Sequence, residues 1–247
     1  MKSSPEFKNS RYVTVEDERA SNVIYDLPMV WWSRPYEYAF ALKFANPKER
    51  VLDAATGVCH PLKFALVERE CDVYACDIDE RVMSEQGIVS DLLNEKVDPK
   101  LVLPYIPKIK MSMADLTKLP YNDGFFDVVF CISVLEHLGQ STPECSTLIE
   151  KVSRRFQMLL STISQKSELA HALLEMERVL KPGGKLVLTF DIPNVSIQEF
   201  MKLVEQTTKL RPIGSVDFKR PNNALHSAAH LTQREVLWSQ DLRFDSL

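Results

Sequence analysis

No apolar run in this 247-residue chain approaches the length needed to cross a bilayer. Its N-terminus, MKSSPEFKNSRYVTVEDERA, holds no apolar core of the kind a secretory signal requires. The five cysteines are odd in number and scattered, without a C-x-x-C pair. That pattern argues against a structural zinc and fits reduced thiols in a cytoplasm. A basic surplus is missing too. Lys and Arg number 30 against 34 Asp and Glu, a net charge of −4, which gives nucleic acid little to hold. The basic run from Lys209 to Arg220 reads as a solvated loop. Internal repeats and low-complexity tracts are absent. So is G-x-G-x-x-G, the turn that cradles the pyrophosphate of a nicotinamide dinucleotide. What remains is 45% hydrophobic and 26% charged, enough chain for one α/β domain with a proper core.

The most informative stretch is Arg50–Cys59, RVLDAATGVC. A short apolar run, Val51 and Leu52, ends in Asp53. A small-residue turn follows, Ala54, Ala55, Thr56 and Gly57, and a helical pattern opens near His60. Strand Val73–Cys76 comes next and ends in a second acid, Asp77, followed by Ile78. In an open α/β sheet, ligands sit at the carboxyl ends of the strands. Gly57 permits close backbone approach or a positive φ, and the helix N-terminus favours a negative group such as a carboxylate. Asp77 lies where an acid accepts from ribose hydroxyls. Asp53 would repel a diphosphate, but suits an ammonium or a sulfonium. The competing explanation is an ordinary βαβ turn with solvated acids.

Three further segments extend the pattern in order: Ile109–Leu138 contributes two of them and Arg178–Phe190, RVLKPGGKLVLTF, the third. Together with the first turn they resemble the class I S-adenosylmethionine-dependent methyltransferases, of the type 11-like kind, from Arg50 to Asp191. The resemblance implies a Rossmann-like, mostly parallel sheet with helices on both faces, and S-adenosylmethionine as cofactor. It implies cofactor contacts at Asp53, Ala55, Gly57, Asp77 and Ile78, at Asp115 for the adenine amino group, at the Leu116 backbone, and at Cys131 beside the methionine part. Ala55 and Cys59 stand where the family usually has glycine.

Residues 1–45 are expected to form an N-terminal segment and an aromatic helix packing over the cofactor site. Residues 46–247 form the methyltransferase domain, with a helical insertion at about 140–165. Residues before Val23 read as polar and loose. Within Val23–Ala45, Tyr38 and Phe40 read as core. Arg34 could pair with the methionine carboxylate, and Trp32 or Tyr36 could offer a π face to a sulfonium or substrate. Met83–Glu95 reads as an amphipathic helix and Asp98–Lys108, with three prolines, as a loop. Capping boxes open helices at Ser196–Glu199 and Thr232–Glu235. Leu242–Leu247 reads as the sixth strand, with Ile213–Phe218 as the remaining candidate. The sheet is therefore expected to end one strand short, with an open edge where a second copy could pair.

His137, in Leu135-Glu136-His137-Leu138, is the candidate general base, with orientation of the loop as its structural alternative. Direct displacement at a sulfonium relies mostly on alignment, so a strong base is not required. The Asn/Asp-Pro-Pro-aromatic mark of methylation at base amines is absent. The resulting expectation is a methyltransferase acting on oxygen, nitrogen or carbon of a small molecule in the cytoplasm. A non-catalytic binding module and a nucleic-acid methyltransferase are the alternatives.

Overall fold

The computed structural model describes residues 9–138, 166–192, 196–217, 219–226 and 238–245. Its centre is a parallel sheet. β4 (Arg50–Ala54) pairs with β5 (Asp72–Asp77) on one side and β7 (Phe126–Ile132) on the other. β5 continues to β6 (Lys110–Met113), and β7 to β8 (Leu180–Ile192). The central strand β7 is nearly all apolar and buried because both of its faces are covered. Along β4, Val51 enters one core and Leu52 the other, the period of two that a strand imposes.

Helices α1 (Arg34–Ala41), α2 (Leu62–Glu68) and α3 (Glu85–Asn94) cover the Val51 face. The opposite face holds α4, over 166–179, and α5 (Ile197–Thr207). α3 starts where its caps place it, with Ser84 Oγ accepting the Gly87 N–H at 3.0 Å. The expected box at Ser196 caps α5, accepting the Glu199 N–H at 3.4 Å. The proline-rich stretch contains two 3-10 turns, Pro99–Leu101 and Ile106–Lys108. α4 ends ahead of Lys181-Pro182-Gly183-Gly184, and Gly183 adopts φ +76°. The second expected capping box and the helical insertion at 140–165 lie outside the described residues.

The sheet does not end where the sequence suggested. β11 (Trp238–Asp245) runs antiparallel beside β8, eight register pairs long. It covers most of the expected sixth strand. The edge beyond it is closed by the N-terminal chain. β1 (Asn9–Tyr12) pairs antiparallel with β11 and parallel with β10 (Ser215–Val216). β9 (Arg211–Pro212) also pairs with β11. The order is β10-β1-β11-β8-β7-β4-β5-β6. Two expectations are thereby corrected: residues 9–12 are a strand rather than loose, and the sheet is not one strand short. The missing outer strand comes from the other end of the chain. A short hairpin, β2 (Asn22–Val23) with β3 (Tyr25–Asp26), leads from there towards α1.

Candidate active site

A cleft of about 290 Å³ opens at the carboxyl ends of β4, β5 and β7. Its walls come from the turn after β4, the exits of β5 and β7, and the first and last turns of α1. Of the expected cofactor residues, Arg34, Asp53, Ala55, Gly57, Asp77 and Ile78 line it. Tyr38, Thr56, His60, Leu62, Ile132, Ser133 and Val134 line it as well.

The turn after β4 is held from several directions. Thr56 Oγ1 donates to Asp53 Oδ2 at 2.6 Å. The Gly57 N–H donates to Asp77 Oδ2 at 2.7 Å, and the Asp79 N–H to Asp77 Oδ1 at 3.0 Å. Beneath the turn, the fully buried Lys63 donates to the Gly57 carbonyl at 2.7 Å and the His60 carbonyl at 2.8 Å. Gly57 has φ +66°, and a Cβ there would lie 2.5 Å from His60 Cδ2. Glycine is therefore required on two counts. Ala55 also takes a left-handed conformation, φ +53°, without being glycine. Ser133, across the cleft, does the same at φ +48°. Backbone strain at two cleft residues fits a site whose geometry is over-determined by its surroundings.

Electrostatics follow from burial. Asp53 is pushed up to about 6 by desolvation, opposed by Lys63 and the Thr56 hydroxyl. Burial likewise pulls Lys63 down to about 8. His60 falls to about 3 through desolvation, with Arg34 and Lys63 adding to the effect, so its ring is neutral. It stacks on Trp31 at 4.1 Å between centroids and shares a 2.7 Å hydrogen bond with Tyr38 through Nδ1. Desolvation opposes the charge on Arg34, but Glu37 beside it holds the guanidinium above its ordinary value. Arg34 Nη1 donates to Glu37 Oε2 at 2.6 Å, and Nη2 reaches the Ser133 carbonyl at 3.4 Å.

The other expected residues do not line the cleft. Asp115 is exposed and folds back on its own turn, accepting from the Thr117 N–H at 2.7 Å and hydroxyl at 2.8 Å. Leu116 and Cys131 are buried in the core, and burial raises the Cys131 thiol. Trp32, just before α1, and Tyr36, within it, are half-buried. The His137 side chain is 66% exposed, 4.0 Å from Glu136. Tyr38, read as core, is both buried and a cleft residue. The burial of Lys63 was missed, although a lysine in the apolar run LKFAL was a signal for it.

The donor set suits an adenosyl sulfonium carrying an amino acid. Acids stand at the ends of β4 and β5, a guanidinium faces them, and Gly57 takes a positive φ where a Cβ would meet the His60 ring. Nothing in the lining demands a diphosphate. Comparison with known proteins agrees. Residues 52–188 match the family described as methyltransferase domain. Curated protein sequences return no match. Among solved structures, a TehB-like SAM-dependent methyltransferase from Corynebacterium glutamicum is 13% identical, with TM-score 0.52, covering 85% of this chain and 87% of its own. The [4+2]-cyclase SpnF is 14% identical, with TM-score 0.55, over 95% of this chain and 87% of its own. Phosphoethanolamine N-methyltransferase 2 from Haemonchus contortus, in complex with S-adenosyl-L-methionine, is 12% identical, with TM-score 0.52, over 87% of this chain and 52% of its own. At these identities the structural likenesses establish the fold, and the family match covers more than half of the chain: the protein belongs to the class I S-adenosylmethionine-dependent methyltransferases.

Proposed function

We propose that the protein transfers a methyl group from S-adenosylmethionine to a small-molecule acceptor in the cytoplasm. The observation that carries this reading is the cleft at the strand ends, where Arg34, Asp53 and Asp77 converge around the Gly57 turn. The fold alone would not select the chemistry, since one structural neighbour is a cyclase. A net charge of −4 favours a small acceptor over a nucleic acid.

S-adenosylmethionine, when bound, supplies an electrophilic methyl group on a sulfonium. The chain's part is binding and alignment. Each Asp77 oxygen accepts one backbone N–H and keeps a second lone pair for a ribose hydroxyl. Arg34 uses one N–H toward Glu37 and retains others for a carboxylate. Asp53, with Thr56 and Lys63 fixing its surroundings, attracts the ammonium. Ala55, Gly57 and Ile78 shape the wall. Asp115, the Leu116 backbone and Cys131 extend the same binding line beyond the cleft. Trp32, just before α1, and Tyr36, within it, are assigned to the acceptor side. His137, just past the exit of β7 and 4.0 Å from Glu136, is the candidate general base.

Residues 1–45 serve in this reading as the segment over the cofactor, with residues 46–247 as the methyltransferase domain. Pairing of two copies through an open edge has lost its basis, since β1 occupies that edge. Titration calorimetry with S-adenosylmethionine and with S-adenosylhomocysteine tests the reading. Binding of both is expected, and binding of neither overturns it.

A further inference from the structure

Behind the cleft wall formed by Arg34 and Ser133 lies a polar group that cofactor binding does not use. Along β8, Leu186, Leu188 and Phe190 enter one core and Val187 the other. Strand alternation therefore turns Thr189 and Asp191 to the Val187 side, which α1 covers. Asp191 is close enough there to feel the charges of Glu37, Glu136 and Arg34. Ser133 Oγ donates to Glu37 Oε1 at 2.7 Å. The Asp191 N–H donates to Glu136 Oε1 at 3.1 Å, and the Ser133 N–H to the Thr189 carbonyl at 2.8 Å.

Three carboxyl groups, from α1, the exit of β7 and the end of β8, thus surround the single guanidinium of Arg34 among the described residues. Thr189 is 0% exposed, and its hydroxyl finds no hydrogen-bond partner among the described residues. Asp191 Oδ1 is in the same condition. Buried polar atoms left this way are costly unless something else pairs with them. Both point to the same side of β8, at the carboxyl end where a doubly wound sheet receives its ligands.

We propose that this acid-lined wall is the acceptor subsite and selects a small protonated amine, whose N–H groups pair with Asp191 Oδ1 and Thr189 Oγ1. The proposal rests on the methyl-transfer reading and narrows its acceptor to nitrogen. An ammonium brings positive charge and several donors to a place with surplus carboxyl groups and unpaired acceptors. An alcohol brings one donor and no charge, and a carboxylate or phosphate is repelled. The amine arrives as an ammonium and one proton passes to the Asp191 carboxylate. The freed lone pair forms the N–C bond as the C–S bond breaks, its electron pair staying on sulfur. The methylated nitrogen leaves as an ammonium, and Asp191 returns its proton to water. Desolvation, reinforced by Glu37 and Glu136, holds the Asp191 carboxyl well above the usual carboxylate range. A carboxylate of that basicity is a better acceptor for an ammonium proton than an exposed one.

The test uses full-length protein saturated with S-adenosylhomocysteine. It is titrated with primary alkylamines from ethylamine to octylamine, and with alcohols and carboxylic acids of equal chain length. At least one amine is expected to bind about tenfold more tightly than its matched alcohol and acid. Asp191→Asn is expected to abolish that preference while S-adenosylhomocysteine still binds. Thr189→Val removes a buried, unpaired hydroxyl, so its melting temperature should hold or rise while amine affinity falls severalfold. Amines that bind no better than their alcohols, or variants that bind them as the wild type does, overturn the proposal. Failure of S-adenosylhomocysteine itself to bind overturns the methyl-transfer reading and this proposal with it.

Discussion

Lys63 holds Gly57 from below: its buried ammonium donates to the Gly57 carbonyl at 2.7 Å, with the His60 carbonyl as second acceptor. The positive charge also sits near Asp53 and keeps that carboxyl from rising further. Lys63→Met is expected to leave both carbonyls without this donor and Asp53 without its nearest cation. S-adenosylmethionine affinity should fall by about 1.5–3 kcal/mol, the range for hydrogen bonds to charged groups. Titration calorimetry checks it, and unchanged affinity would mean that the turn holds its shape without the lysine.

Two positions in the same turn should respond in opposite directions. Gly57→Ala places a Cβ against the His60 ring at positive φ, so it should destabilise the fold by about 1–2 kcal/mol or more and weaken cofactor binding. Ala55→Gly relieves a left-handed alanine, partly offset by the entropy glycine loses on folding, and should raise stability by up to about 1 kcal/mol. Thermal and urea denaturation of the pair give both signs.

Asp77→Ala removes the acceptor for the Gly57 and Asp79 N–H groups along with the proposed ribose contact. S-adenosylmethionine binding should weaken by about 1.5–3 kcal/mol. Affinity equal to wild type would remove the ribose from this acid.

Asp53 and Glu136 should each contribute stability that is lost as pH rises from about 4 towards 7, set against the opposite contribution of His60. Asp53 is raised from 3.8 to about 6 and Glu136 from 4.5 to about 7, both mainly by desolvation. Both bind their protons more tightly in the folded chain than in the unfolded one. Their contribution is complete below the unfolded values and is lost as pH rises through the folded ones. Glu136→Gln should flatten the upper part of this profile. Melting temperatures across pH 4–8 for wild type and variant decide it, and parallel curves would refute the assignment.

Removal of residues 1–12 should expose the outer edge of β11, which β1 now covers. Open edges pair with other chains. Sedimentation should therefore show self-association in the truncated protein that the full chain does not have. A truncated chain that stays monomeric at high concentration would show the edge to be protected in another way.

Local features were readable from the residues alone. The start of α5 was marked by Ser196 and its capping box, and the turn after β4 by acid, small residues and glycine. Each depends on neighbours a few positions apart, so periodicity and capping chemistry determine it. Five of the six expected cleft residues, Asp53, Ala55, Gly57, Asp77 and Ile78, were identifiable for the same reason, lying at or just past the ends of β4 and β5. Tertiary structure alone decided the rest. Nothing near Asn9–Tyr12 or Trp238–Asp245 states that these two segments pair, because a strand's partner is a matter of which edge remains open once the other strands are placed. The same holds for Tyr38 meeting His60, and for Lys63, whose amphipathic length left its burial undecided until α2 packed under the turn. The acid group of Glu37, Glu136 and Asp191 belongs here too. Its members lie on three elements, and only the sheet brings them to one wall.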